Sequence, residues 1–469
     1  MCRRVKGRRA LVGGGPYRDG MTLLAPVDTA RPLLPVVGAD MRVPLVGGGQ
    51  SRVVDLDVAA TAPALEVVAA HVAAVLPHLG SVHRGAGWRS TLATAGVEQA
   101  RCTVPRHVGA RSDDTVVFTR NTTEALNLLA SAVPGSVLVL DIEHHADLLP
   151  WQRADGGCTV VRAGTTIAAT LDVLAAALAA HRPALLAVTG ASNVTGEVLP
   201  LERIARLAHA AGARLAVDGA QLVPHRRVDL ADAGIDYLAF SGHKAYAPFG
   251  VGALVGRADW LDGARPHLAG GGAVASVRLT GSEIGAVWRT GPDRHEAGTP
   301  DTIGVLAVAR ALTELASLDP RAWAAHERDL RDRLVAGLAA VPGVTVLDLF
   351  ADAVDHVGVV AFLIAGLDAR LAALALSAEW GIAVRDGAFC AHPALARLTG
   401  GRPALRASFG VGTTRADVAA LLGAVAALAA AGPRGRYRSD AGGWHVEADD
   451  RPRPGWAAEP ADPRACAAS

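Results

Sequence analysis

The chain has 469 residues, and its 46 Lys+Arg against 45 Asp+Glu leave a formal net charge of +1. That balance supplies no basic field for nucleic acid or for an anionic membrane surface. The length exceeds one ordinary core. A composition that is 51% hydrophobic but only 4% aromatic excludes a disordered chain and fits a packed α/β enzyme of two or three domains.

Residues 1–50 are rich in Gly, Pro and Arg without sustained periodicity and read as a leader, flexible in part. The opening stretch MCRRVKGRRALVGGG is basic but has no apolar segment of signal-peptide length. From Val53 onward short apolar runs alternate with helical patterns. Thr115–Thr119 reads as a strand, followed by a helix over 122–132 and by strands at Ser136–Leu140 and Cys158–Arg162. A helix at 171–180, the strand Ala184–Thr189, a helix at 200–211 and the strands Arg214–Val217 and Tyr237–Phe240 follow. This alternation predicts an α/β fold with a mostly parallel central sheet covered on both faces, and ligands bind such sheets beyond the carboxyl ends of the strands.

Past residue 305 come two helices, Val305–Leu318 and Ala322–Ala340. Strands Val344–Leu349 and Val359–Ile364, a helix near 368–379 and an apolar helix over 416–431 complete an α+β stretch. The expected division is a leader (1–50), a large domain (51–310), a smaller C-terminal domain (311–432) and a polar, Pro-rich tail (433–469) with a hairpin around Ala441–Gly443. The longest apolar run, Val418–Ala431, is too short to span a bilayer and reads as a core helix. The five cysteines, at 2, 102, 158, 390 and 466, have no paired spacing. No disulfide framework or zinc site is expected, and a reducing, cytoplasmic setting is the default.

Only two of the 46 Lys+Arg residues are lysines, Lys6 in the leader and Lys244. Arg cannot lose its proton in a protein, so a lone internal Lys suggests a position that requires a primary amine, although chance survival of one lysine would look the same. Polar clusters sit where strands should end. Arg120–Glu124 (RNTTE) opens a helix whose N–H groups and Thr hydroxyls could cradle a phosphate, and the same residues fit a capping box with no ligand. Glu143-His144-His145 could place a ring over a planar ligand or be a polar loop. Ser192–Gly196 (SNVTG) reads as a turn. Asp218 ends a buried strand and asks for a cationic partner, which a protonated pyridine nitrogen or an Arg would provide. Ser241-Gly-His243-Lys244 follows the strand at 237–240 and precedes the glycine-rich Phe249–Gly256. A reactive Lys, an acid for a ring nitrogen, phosphate donors and a flat stacking partner are the parts that pyridoxal 5'-phosphate (PLP) chemistry requires.

TRNTTEALNLLA, EHHADLLPWQ, SNVTGEVLPLERIARLAHAAGARLAVDGAQ, FSGHKAYAPFGVGAL and HEAGTPDTIG resemble the class V aminotransferase superfamily of PLP enzymes. Within it they resemble the SufS-type branch of cysteine desulfurases and selenocysteine lyases. The resemblance covers roughly residues 53–430 and implies the fold type I PLP-dependent transferase architecture. It implies that Lys244 carries PLP as a Schiff base, that Asp218 pairs with the pyridine nitrogen and that His144 stacks on the ring. It gives Asn193 and Gln221 to the phenolic oxygen, and Thr122, Thr123, Ser241 and His243 to the phosphate. Thr299 would reach the phosphate of a second subunit, implying a homodimer with shared sites. Arg406 would clamp the substrate carboxylate, with His83 and Arg84 on the substrate side.

Arg385–Ala391 (RDGAFCA) resembles the loop bearing the family's catalytic cysteine. Cys390, with Arg385 and His392 favouring its thiolate, would then accept sulfur from L-cysteine to give a persulfide and L-alanine. A sulfur-acceptor protein would be a further partner. Read from its residues alone, Cys390 also fits a small buried core position. Phe389 stands where the family loop carries a His, which removes one acid/base candidate. An aminotransferase, epimerase or C–S lyase on the same scaffold would need Lys244 and Asp218 but not Cys390. A non-enzymatic regulator would be expected to lack the Lys or the Asp.

Overall fold

The computed structural model describes residues 28–457 except Arg84; Cys2, Lys6 and Cys466 lie outside the described residues. The large sheet has seven strands: β1 (Asp114–Thr119), β2 (Val137–Leu140), β3 (Cys158–Val161), β4 (Leu185–Thr189), β5 (Arg214–Asp218), β6 (Tyr237–Ser241) and β7 (Gly252–Arg257). Their order is β1-β7-β6-β5-β4-β2-β3. β7 runs antiparallel to β1 and β6, and every other pairing is parallel. The central strands are buried along nearly their whole length, which is why they read as unbroken apolar runs. One face packs Leu126, Leu129 and Trp151, and the other packs Leu174, Ile204 and Leu312.

Several elements of this unit have no counterpart in the sequence reading, among them β7, a long helix and an exposed hairpin. β7 lies within the glycine-rich stretch 249–256. A Cβ on Gly252 would come within 2.8 Å of Asn121 Cα, so glycine lets the strand pass beside the start of the helix that follows β1. Helix α1 (Trp88–His107) buries Ser90, Ala93, Val97, Ala100 and Val104, a face of small residues with little apolar contrast. The hairpin β8 (Val274–Thr280) and β9 (Glu283–Trp288) projects outward, with Leu279 74% and Ile284 75% exposed.

A second sheet, wholly antiparallel, is ordered β10-β11-β13-β12 from β10 (Val344–Leu347), β11 (Val359–Ile364), β12 (Arg385–Gly387) and β13 (Ala404–Ser408). Leu330, Leu334, Phe362, Leu376, Leu421 and Val425 form its core with the helices Pro320–Ala339, Ala369–Trp380 and Arg415–Ala431. Residues 28–57 run along this unit. The Thr29 hydroxyl donates to Asp329 at 2.6 Å, Leu33 N–H donates to the Val411 carbonyl, and Val54–Asp55 pairs with Ile382–Ala383. Tyr437–Asp440 and Gly443–Val446 form the hairpin expected in the tail. Among the described residues no helix is long and apolar enough to cross a membrane.

Candidate active site

The strand ends of the large sheet and the β12–β13 side of the small sheet enclose a cavity of about 350 Å³, within the range of a cofactor site. It is lined by Thr122, Thr123, His144, Asn193, Asp218, Gln221, Ser241, His243, Lys244, Arg385, Cys390 and Arg406.

At one end, the helix α2 (Thr122–Ala130) begins at Asn121, whose side chain accepts from Glu124 N–H at 3.0 Å. Glu124 reaches back to Arg120 N–H at 2.5 Å, one residue beyond the position a strict capping box requires. The cap and the anion cradle are therefore not rivals. Ser241 Oγ accepts from Thr122 N–H at 2.8 Å and lies 2.7 Å from Thr122 Oγ1, so β6 and the helix start are joined into one cluster of donors. His243 Nδ1 lies 3.1 Å from Thr61 Oγ1, and burial, reinforced by Lys244, pushes its pKa down to about 4.

Lys244 and Asp218 share the centre. Asp218 is buried and Lys244 half-buried, and Asp218 Oδ1 accepts from Ala220 N–H at 2.9 Å. Burial raises the Asp218 carboxyl, opposed by Lys244. Burial pushes the Lys244 amine down to about 8, opposed by Asp218 and helped by Arg406. His144 caps the following turn, its Nδ1 accepting from Ala146 N–H at 3.0 Å, so its proton sits on Nε2. Burial, then Lys244, His145 and Arg406, push it to about 3; it is a neutral ring at any working pH.

The loop after β12 closes the other end. Asn193 Nδ2 donates to the Phe389 carbonyl at 2.8 Å, and His145 N–H donates to the Cys390 carbonyl at 2.8 Å. Phe389 and Cys390 both hold φ at 53°, a left-handed pair of non-glycine residues that these two bonds help to fix. Cys390 is exposed, which removes the reading of a small buried core residue. The Phe389 ring lies under the Arg406 guanidinium, 5.1 Å from it. His392 stacks on His145 at 4.8 Å, with Nδ1 2.9 Å from His145 Nε2.

Arg406 is buried; its Nη1 donates to the Asn193 carbonyl at 2.9 Å, and its Nε has no acceptor. Burial lowers its pKa to about 10, opposed by Asp57. Asp57 lies 2.8 Å from Arg385 and 3.5 Å from Arg406 and so holds both cations at the cavity. Sequence reasoning missed Asp57, because its partners lie more than 300 residues away.

His83 and Thr299 are not brought to this cavity. They line a second one with Gly271, Gly272 and Arg289. Arg84 lies outside the described residues.

The Nε–H of Arg406 and the Oε1 of Gln221 are buried polar atoms without partners at the cavity. With an amine facing the cavity, a buried acid and a ready-made anion cradle, the residues fit PLP and an amino-acid carboxylate.

The aminotransferase class-V profile matches residues 54–421. The chain belongs to that family. Its members are PLP enzymes. A cysteine desulfurase of Klebsiella pneumoniae (strain 342) is 38% identical over 354 residues, covering 73% of this chain and 85% of its own length. A probable cysteine desulfurase of Mycolicibacterium paratuberculosis is 36% identical over 391 residues, and the match spans 80% of this chain and 55% of that longer protein. The crystal structure of the cysteine desulfurase CsdA from Escherichia coli superposes with a TM-score of 0.70 at 34% identity, over 79% of this chain and 93% of that one. The class V enzyme described here therefore carries the fold type I architecture.

Proposed function

We propose that this class V enzyme is a PLP-dependent cysteine desulfurase that converts L-cysteine to L-alanine and leaves a persulfide on Cys390. The observation that carries the reading is the placement of an exposed Cys390, on a loop tied down by Asn193 and His145, at the same cavity as Lys244 and buried Arg406. Lys244 would hold PLP, with Asp218 at the ring nitrogen, His144 over the ring, Gln221 beside it, and Thr122, Thr123, Ser241 and His243 at the phosphate. Bound there, PLP supplies an electron sink for the substrate's Cα.

This chain's own groups do the rest. Arg406 presents its unpartnered Nε–H to the substrate carboxylate and fixes the amino acid's orientation. Lys244 Nζ, with its pKa brought down to about 8, can take and return the Cα proton near neutral pH. Cys390 Sγ, as thiolate, forms an S–S bond to the substrate sulfur as the substrate's Cβ–S bond breaks. The electron pair stays on the carbon fragment, which takes up a proton and leaves as alanine. Arg385 adds positive charge on the Cys390 side.

We also propose a homodimer. The exposed aliphatic hairpin β8–β9 and the remoteness of Thr299 and His83 from Lys244 both suit a second copy, whose cavity these residues would complete. The sulfur acceptor would be another protein meeting exposed Cys390. The unpaired cysteine spacing supports a cytoplasmic setting.

The test is product analysis with L-cysteine and a reductant. Alanine and sulfide are expected from the wild type, and Cys390→Ala should bind PLP with an unchanged spectrum but form no alanine. Full turnover by that variant, or pyruvate and ammonia as products, would overturn the reading.

A further inference from the structure

Two acids that the reaction above does not use lie fully buried next to Asp218. Glu143 Oε2 accepts from Thr189 N–H at 2.8 Å, and Thr189 is the β4 residue paired with Asp218 on β5. Asp147 Oδ1 accepts from the Trp151 indole N–H at 3.2 Å. The remaining oxygens, Glu143 Oε1 and Asp147 Oδ2, are buried and meet no donor. The two carboxyls nevertheless lie within hydrogen-bonding reach of each other. Among the described residues no Lys, Arg or His forms an ion pair with either. The titratable groups facing them are Asp218 from β5 and, on Asp147, Cys158 from β3.

Two ionised carboxylates here would stand unpaired out of water, with lone pairs opposed, beside a third acid. One proton between them turns two orphan oxygens into a donor and an acceptor. Burial first, then Asp147 and Asp218 on Glu143 and Asp218 on Asp147, push both groups well above the usual carboxylate range, in keeping with that proton being retained at neutral pH.

We infer that Glu143 and Asp147 hold one proton between them and act as positioning residues, presenting a single negative charge to Asp218. The second half rests on the proposed function, in which Asp218 keeps the ring nitrogen protonated. A fixed negative charge nearby makes that proton harder to lose.

Glu143→Gln and Asp147→Asn are close to isosteric. In either single variant the new amide can donate to the surviving carboxylate, so the pair keeps its charge and loses its proton. In the double variant the charge is gone as well. Infrared difference spectra of the PLP-free protein at neutral pH, wild type minus each single variant, should show the C=O stretch of one protonated carboxyl. Its absence overturns the shared proton, whatever the fate of the PLP reading.

In the PLP-loaded protein, the pH titration of the cofactor's absorbance should be nearly unchanged in the single variants. It should shift by about one pH unit, a roughly tenfold loss of proton affinity, in the double variant. An unshifted double variant overturns the positioning role. If the double variant does not fold, Asp147→Leu leaves Glu143 to protonate alone and serves as the uncharged form, with the same shift expected and the same null result decisive.

Discussion

Replacing Arg406 by Lys isolates one donor in the substrate site. Arg406 Nη1 is committed to the Asn193 carbonyl, Nη2 lies 3.5 Å from Asp57, and Nε is buried without an acceptor. A carboxylate arriving at the Nε–Nη2 edge would gain two charge-assisted bonds, each worth about 1.5–3 kcal/mol. Lys keeps the charge but cannot supply the fork, so one bond is lost. At about 1.4 kcal/mol per decade, KM for L-cysteine should rise roughly 10- to 150-fold, with kcat falling less. Arg406→Gln loses both bonds and should exceed about 100-fold. Neither change strands a buried acid, because Asp57 keeps Arg385 at 2.8 Å. Folding should therefore survive, and thermal unfolding checks this. The assay is alanine formation against L-cysteine concentration, with cysteamine, which lacks the carboxylate, as a competitor. Its inhibition constant should not move. A KM change below about threefold, or an equal penalty for cysteamine, would refute the assignment of Arg406 to the carboxylate.

Three further outcomes follow from the geometry. Lys244 is nucleophilic only when neutral, so PLP uptake by the apo protein should climb with pH through a midpoint near 8 and level off above it; a rate that is flat across that midpoint contradicts the burial argument. Asn193→Ala removes the bond to the Phe389 carbonyl, worth about 1 kcal/mol, and loosens the left-handed pair at 389–390. Sulfur transfer should slow about five- to tenfold even at saturating PLP, and an unaltered kcat would show that the loop needs no such tie. Leu279→Lys with Ile284→Lys charges the exposed face of the hairpin, where the two residues pair across β8 and β9. Light scattering should report a dimer for the wild type and a monomer for this variant, and a dimer in both would place the interface elsewhere.

The parts of the fold that were legible are those whose sequence pattern is local. β2, β4, β5 and β6 are buried parallel strands, and each is an apolar run that ends in the polar residues lining the cavity. His144, Asn193, Asp218 and Lys244 follow from those endings, and the structure places them at one cavity. β7 was obscured by glycines that close packing demands, Gly252 against Asn121 and Gly256 against Tyr237. α1 was obscured by a buried face of Ala, Ser and Val. The hairpin β8–β9 buries little within one chain, so alternation gave it no signal. Asp57 and the Glu143–Asp147 pair are a different case. Their roles depend on contacts between distant segments or on the lack of a cation, and no spacing along the chain encodes either. Phe389, notable from sequence only as a missing His, has a place beneath the Arg406 guanidinium.

The central claim is that Cys390 receives the substrate's sulfur in a cavity organised by Lys244. The most direct measurement is mass analysis of the Cys390 peptide after exposure of the PLP-loaded protein to L-cysteine without reductant. A gain of one sulfur atom on Cys390, released by later reduction and absent from Lys244→Ala, is the expected result. An unmodified Cys390 beside stoichiometric alanine, or the added sulfur on Cys102 or Cys158 instead, would contradict it.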